Sequence, residues 1–537
     1  MKSKKLVKLF SLLMAFAIVL TAFTGCAKKV TNEPSTDGTQ VKATATPVPA
    51  TPVPTPIEEK PLKFSMSVSN GLNEYIMKSP DINKDKWLLE INKRFNCDIT
   101  LVLIEHGRYN EQMQMMFASG EIPDLIKGYE SYLRPDMAGS VENGVFMALD
   151  ELLADNKAEL TNLLGQVPEN AWNEMKYDDK IYGIPSTFLS QPNRRATYIR
   201  KDLLDQTGLG IPRTLDEYLE VLKAFKELGV VYPFAGREFW LFSSPFFGAF
   251  GVEYTVWSPD KDGNLTPDMI KPEMKQALEF YAMLYEEGLM DPESLTTSGG
   301  DWLNHVYSGK VGIFEHQPGQ LDSFKTNLRK HVVDGDLILA PAPQGPDGRS
   351  GYRNFPQVGQ ALYINKNFKE PLRLLKVIDS MGTPEAQEFF TFGILGETYE
   401  KVNGKIEYTM PTEPIDQQEA SFREKTLNLL RDDSTNPLLS EFKPTAQEEE
   451  EYRKNVAPNE GLVWYQPVKI PSFDKYPDLV PGEKNVNLFL EYAAKIFYGQ
   501  LPASAHDDFV KEYLKRGGTE LVKEATEAYK AGKTFKR

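Results

Sequence analysis

Few side chains in this sequence could carry catalysis or metal binding at a usable spacing. The five histidines, His106, His305, His316, His331 and His506, include no pair at zinc-ligand spacing and no HExxH. No GxSxG motif occurs either. Acidic residues number 76 against 61 basic, so a carboxylate pair at hydrolytic separation must arise by chance and discriminates nothing. There are two cysteines, Cys26 and Cys97. Cys97 opens an apolar run and reads as a buried structural thiol. Cys26 follows Phe23-Thr24-Gly25, and its chemistry depends on what precedes it.

Lys2, Lys4, Lys5 and Lys8 form a positive start, and Leu9 to Ala22 is an apolar run broken only by Ser11 and Thr21. About 14 residues at about 1.5 Å each fall short of ~30 Å of hydrocarbon, so the run reads as the core of a signal peptide. Phe23-Thr24-Gly25-Cys26 resembles the lipobox of bacterial lipoproteins, with Phe23 where that motif usually carries Leu. The resemblance implies a leader over residues 1–25 and a lipid on Cys26; the alternative is a secreted protein with an incidental cysteine. Residues 26–61 then carry Pro47, Pro49, Pro52, Pro54 and Pro56 among Thr, Ala and Val. Such chain cannot build a core and favours an extended tether, reaching on the order of 100 Å. Loss of four leader lysines and no acids moves the net charge from −15 to −19. That acidity argues against nucleic acid as a partner. With Cys26 acylated no disulfide can form within the mature chain.

The elements that must position any site follow from periodicity. Lys63 to Val68 reads as a strand, Asn83 to Phe95 as a helix, Ile99 to Ile104 as a strand of the fully buried kind, and Tyr109 to Ser119 as a helix closed by Gly120. Asp124 to Ile126 begins a further strand. This βαβαβ succession implies a parallel sheet with ligand loops beyond its carboxyl ends, first after Val68, Ile104 and Ile126. Thr214-x-x-Glu217 is a capping box opening a helix that Gly229 ends. Further on, Pro272 to Glu287 is helical, Lys310 to Phe314 and Ala361 to Ile364 are strands, and Pro371 to Met381 is a helix. Asp507 to Lys515 and Gly518 to Ala531 are helices near the end.

In this order the chain resembles the carbohydrate-binding branch of the extracellular solute-binding proteins that serve ABC importers, and within it the large lipoproteins. The resemblance is carried by Ser119-Gly120-x-Ile122-Pro123-Asp124, Tyr177-Asp178-Asp179-Lys180-Ile181-Tyr182-Gly183, and Tyr198-Ile199-Arg200-Lys201-Asp202. It continues through Pro212-x-Thr214-x-Asp216-Glu217, Leu284-Tyr285-x-Glu287-Gly288-Leu289, Ser308-Gly309-Lys310-Val311-Gly312 and Gly345-Pro346-Asp347-Gly348. It implies a two-lobed, type II periplasmic-binding-protein-like α/β fold, with parallel-rich sheets flanked by helices and a cleft between lobes. The first lobe would hold residues 62–190 and 353–430, the second 191–352 and 431–537, with crossings near Gln191 to Arg195 and Tyr352 to Gln360. It further implies a monomer that passes an oligosaccharide to ABC permease subunits, on the outer face of the membrane of a Gram-positive-type bacterium. A protein feeding a membrane sensor, or a surface-anchored polysaccharide-degrading enzyme, are the competing readings.

Sugar sites combine flat aromatic faces with planar carboxylate, amide or guanidinium groups. Trp87, Trp172 and Trp257 read as structural. Trp240, Trp302 and Trp464 are candidate contacts, with Asp124 and Lys127 at an expected strand end, Tyr182, and Glu315 and His316 after the strand at Val311. Arg195, Tyr352 and Arg353 lie at the expected crossings, and the two arginines would meet the carboxylates of an acidic sugar. Branch members often carry a calcium loop after the helix at Thr214; Gly229 to Phe234 holds no acidic ligand there. Asp260-x-Asp262-Gly263-Asn264 fits a polar turn better than a calcium loop, so neither metal nor cofactor is expected.

Overall fold

The computed structural model describes residues 60–71, 73–129, 139–189, 194–433, 436–467, 470–482 and 487–537. The leader, Cys26, the tether and most of the first crossing lie outside these residues. Among these described residues ten strands form the two main sheets: β1 (Leu62–Ser69), β2 (Cys97–Ile104), β3 (Leu125–Tyr129), β4 (Ile184–Phe188), β5 (Ala196–Arg200), β6 (Tyr232–Ala235), β7 (Val311–His316), β8 (Leu337–Ala340), β9 (Val358–Ile364) and β10 (Arg431–Asp432). The first sheet has the order β10-β4-β9-β3-β1-β2, and the second β8-β5-β7-β6.

Each sheet contains one reversed strand, β9 in the first and β5 in the second, antiparallel to both neighbours. The reason is topological. A chain leaving β4 at its carboxyl end and entering the next sheet from the same side must run against strands whose carboxyl ends face that side. The return from β8 into β9 repeats the constraint. Both sheets therefore turn their carboxyl edges toward the crossing segments, where ligands of open α/β sheets bind.

Local sequence explains the flanking elements. The helix Tyr109–Ser119 stops at Gly120, whose φ of 74° suits a residue without Cβ. Thr214 and Glu217 make a reciprocal capping box on the helix Leu215–Glu227, whose Tyr218, Val221, Leu222 and Phe225 are buried. Cys97 is buried, and its thiol is pushed up to about 12 by burial, as befits an inert core group. One strand differs from the reading of its sequence. β2 is not buried on both faces but is the edge of the first sheet, with Asp98, Thr100 and Leu103 exposed.

One core joins Trp87, Ile126, Tyr363, Leu375 and Phe390 around the first sheet. Another joins Phe225, Phe247, Tyr281 and Phe497 around the second, and a smaller one gathers Trp302, Phe314 and Phe324. The helices Asn487–Phe497, Ala505–Tyr513 and Thr519–Lys530 pack into the second core. Arg431 and Asp432, placed in the second lobe by the sequence expectation, pair with β4 in the first sheet.

Candidate ligand-binding site

Three segments meet at the cleft edge of the second sheet. Arg195 precedes β5, and the antiparallel register Thr197↔Glu315 places Glu315, at the end of β7, beside it. The Arg195 Nε lies 3.2 Å from Glu315 Oε1, and the Ser244 backbone N–H donates to Glu315 Oε2 at 2.9 Å. Glu315 is 1% exposed; burial pushes its carboxyl up, against the pull of Arg195.

The second segment follows β6. A Cβ on Gly236 would stand 2.1 Å from Ser243 Oγ and 3.3 Å from Leu241 O, so the loop that begins there folds closely back on itself. Phe239, Trp240 and Phe242 all have left-handed φ, at 59°, 65° and 57°. Such backbone costs of order 1–3 kcal/mol per residue and persists where its surroundings fix it. Here Arg237 N–H donates to Leu241 O at 2.8 Å, and Trp240 packs edge-on against Phe247, Tyr281 and Phe497. The strain aims Phe242 at the cleft.

The third segment is the return crossing. Tyr352 N–H donates to Glu460 O at 2.7 Å, an approach that only glycine at 351 allows, since a Cβ there would sit 2.1 Å from that oxygen. The hydroxyls of Tyr352 and Thr197 share a hydrogen bond of 2.6 Å, Arg353 Nη1 donates to Thr255 Oγ1 at 2.9 Å, and Trp464 Nε1 donates to Asn354 O at 2.7 Å.

These segments line one side of a solvent-open cleft. Arg195, Trp240, Glu315, Tyr352 and Arg353 line it, together with Leu241, Phe242, Ser244, Glu253, Tyr254, Thr255 and Phe355. Glu253 is 4% exposed and is pushed up to about 7 by burial, opposed by Arg353. The guanidinium of Arg195 lies over both Phe242 (4.8 Å) and Phe355 (5.1 Å). Arg237 also lies over Phe242 and Arg353 over Phe355, at 5.3 and 5.0 Å.

The other candidates stand elsewhere. Asp124 precedes β3 at the opposite edge of the first sheet, where its Oδ2 accepts from Ser65 N–H and Oγ, each at 2.9 Å. Lys127 is inside β3, 4% exposed, and its Nζ donates to the carbonyls of Lys425, Thr426 and Asn428; burial lowers its pKa to about 7. Tyr182 packs on the first core. Trp302 is 1% exposed, donates Nε1–H to Ala235 O and stacks on His316. His316 supports Phe242 from behind at 5.1 Å, and burial lowers its pKa to about 4. Trp464 braces the crossing rather than lining the cleft.

Glu253, Phe242 and Phe355 line the cleft without a local sequence pattern that marks them as site residues. Glu253 left one signal, being the sole charged residue between Leu241 and Ser258. Asp260 turns its carboxylate onto its own loop, accepting from Asp262 N–H and Asn264 N–H in the hairpin of Trp257–Pro259 with Leu265–Pro267. Among the described residues no three His, Cys, Asp or Glu are placed to hold a metal ion.

A family model described as bacterial extracellular solute-binding protein matches residues 79–388, more than half of the chain. The chain is 26% identical over 498 residues to lipoprotein LipO of Bacillus subtilis (strain 168), covering 85% of this chain and 91% of LipO. It is 23% identical over 472 residues to the polygalacturonan/rhamnogalacturonan-binding protein YtcQ of the same organism, covering 84% and 89%. Among solved structures, the alginate-binding protein AlgQ2 without calcium aligns at a TM-score of 0.65 and 19% identity, covering 88% of this chain and 98% of AlgQ2. The HMO-binding, ABC-transporter-associated solute-binding protein of Bifidobacterium longum infantis aligns at 0.65 and 16%, covering 88% and 100%. These likenesses establish a two-lobed type II α/β fold.

Proposed function

The chain belongs to the bacterial extracellular solute-binding protein family, and from that premise we propose that it captures an extracellular oligosaccharide and delivers it to an ABC permease. One observation carries this reading: the crossing segments and the carboxyl edge of the second sheet converge on a cleft lined by aromatic and hydrogen-bonding side chains. Aromatic faces with planar polar groups are what saccharides require. The names of YtcQ, AlgQ2 and the HMO-binding protein support a saccharide.

The lobes in this reading are residues 62–190 with 353–432 and residues 191–352 with the remainder, and ligand shifts them toward a closed form that the permease recognises. The chain reaches the membrane through a lipid on Cys26; no helix among the described residues is long and apolar enough to cross it. Lipid labelling of the protein that disappears in Cys26→Ser tests the anchor. The cleft binds rather than cleaves, so its ligand is recovered intact after incubation.

A thermal-shift screen of defined oligosaccharides tests the central claim. Ligand at 100 times Kd adds about 2.7 kcal/mol. A body of roughly 480 residues has an unfolding entropy near 1 kcal/mol per kelvin, so the shift is about 3 °C. A peptide pool that raises Tm while no saccharide does would refute the carbohydrate reading. Loss of uptake in a deletion strain supports import; intact uptake with altered induction supports a sensor instead.

A further inference from the structure

Resting on the oligosaccharide reading, we propose that the carboxyl edge of the first sheet is a second saccharide subsite, a ledge from Gln360 to His106 that sets how many sugar units the ligand must have. The ledge follows from strand order. From β4 outward the first sheet runs β4-β9-β3-β1-β2. Gln360 pairs with Thr187 on one side and with Tyr129 on the other, so the three form a row across β4, β9 and β3. Residues opposite one another on neighbouring strands share a face of the sheet. Asn70 and His106 continue the row just past the ends of β1 and β2.

Two groups on this row are held in place and still have donors or acceptors to offer. Gln360 is partly exposed, and the buried Thr187 Oγ1 donates to its Oε1 at 3.2 Å. That bond fixes the amide plane, while the two Nε2 N–H donors have no partner among the described residues. His106 is exposed but anchored from behind. Its backbone N–H donates to Asn70 Oδ1 at 3.0 Å, its Nδ1 lies 3.5 Å from Ser69 Oγ, and its ring packs edge-on against Tyr129. These contacts leave Nε2 for a sugar hydroxyl. Tyr129, partly exposed between the two, offers apolar ring surface to the C–H face of a pyranose. The arginines of the opposite wall differ, because Arg195 and Arg353 are engaged by Glu315 and Thr255.

Geometry turns this row into a ruler. Neighbouring strands lie about 4.8 Å apart, so β9 to β2 spans roughly 14 Å. A pyranose with its bridging oxygen covers about 5 Å at ordinary bond lengths, which makes the ledge about three units long. Phe355 lines the cleft wall and precedes Gln360 by five residues, so Gln360 is the near end and His106 the far end. With one unit on the cleft wall, a disaccharide reaches Gln360 and only a tetrasaccharide reaches His106.

The test is calorimetric titration of the purified protein with oligomers of galacturonate, xylose, galactose and fructose, each from monomer to hexamer. In the series that binds, affinity should rise tenfold or more between dimer and tetramer and then level off. His106→Ala should remove most of that rise and leave the dimer unaffected. Gln360→Met, which keeps the shape and deletes the amide, should weaken every oligomer from the dimer up by about tenfold, the loss of one hydrogen-bonded contact. Thr100→Ala, exposed in the middle of β2, is the control. Should Gln360→Met fold poorly, the exposed His106 still decides the matter. Affinity that stops rising at the dimer, or a His106→Ala effect that is absent or equal at every length, overturns the ledge and leaves the oligosaccharide reading standing. Binding of no series overturns both.

Discussion

Arg195 and Glu315 are each placed by the other, and breaking the pair should show it. Arg195→Gln leaves a carboxyl that is 1% exposed without its ionic partner, a situation that costs about 3 kcal/mol. Urea unfolding should therefore show a lower midpoint for Arg195→Gln, and the double variant with Glu315→Gln should recover much of the loss. Glu253 makes a separate prediction with a definite sign. Its carboxyl is pushed up to about 7 from an ordinary 4.5 by burial, with Glu315 and Asp268 acting in the same direction and Arg353 against it. The folded state thus keeps a proton between pH 4.5 and 7 that the unfolded chain has released. The contribution of this group to stability is greatest below pH 4.5 and falls as pH rises through 7. Lys127 and His316, whose pKa values are lowered, give slopes of opposite sign, so only a difference isolates Glu253. Relative to the native protein, Glu253→Gln should gain on the order of 3 kcal/mol between pH 4 and pH 8. A difference independent of pH would refute the assignment.

Elements set by neighbouring residues were readable from sequence; elements set by distant ones were not. The helix from Tyr109 to Gly120 and the capping box at Thr214 need only three or four consecutive positions, and both stand where the sequence places them. Asp124 shows the opposite case. The strand stands where the sequence places it, but Asp124 precedes its amino end, away from the cleft, held by Ser65 across 59 positions, a partner that no local pattern reveals. Phe355 gains meaning only beside Arg195, and Glu253 only beneath Arg353. Lys127, at an expected strand end, is instead held by three carbonyl acceptors about 300 residues away, which no local pattern reveals. Arg195, Tyr352 and Arg353 line the cleft, as residues of a crossing segment that must pass it whatever they pack against. Gly351 is where this long-range dependence can be tested. Its φ is 121°, and an added Cβ would meet the backbone of Glu460. Gly351→Ala should push the return crossing off the 461–462 strand, lowering stability by about 2 kcal/mol or more and weakening ligand affinity together. The same substitution at Gly210, where an added Cβ meets nothing within 4 Å, should do neither. A Gly351→Ala protein with native affinity would show that the crossing does not position Arg353.

At the scale of the molecule, the cleft is a single wall. Its lining residues come from the second sheet's side and the crossings, and none from between Leu62 and Phe188. A ligand held only there would keep much of its surface in water, whereas specific small-molecule sites bury most of it. The missing wall is identifiable from topology. The carboxyl edge of the first sheet ends at Ser69, Ile104, Tyr129 and Phe188, beside the crossings. It carries an aromatic group there: Tyr129 packs edge-on against Tyr109 and His106, with ring centres 5.2 and 6.0 Å apart. Tyr129 is partly exposed and His106 exposed, so both are available to a ligand seated on the opposite wall. On the proposed two-lobed reading, rotation about the crossings would join the two; near the return crossing Trp464 donates to Asn354 O, and Arg537 pairs with Glu174. Saturating ligand should then lower the radius of gyration in solution scattering and slow amide exchange in the first-lobe loops after Ser69 and Ile104, although neither touches the cleft. Tyr129→Ala should weaken binding about tenfold, the loss of one aromatic contact, with little change in unliganded stability. Protection confined to residues 195, 237–255 and 352–355, with Tyr129→Ala binding normally, would mean that the second lobe binds alone and that closure plays no part in capture.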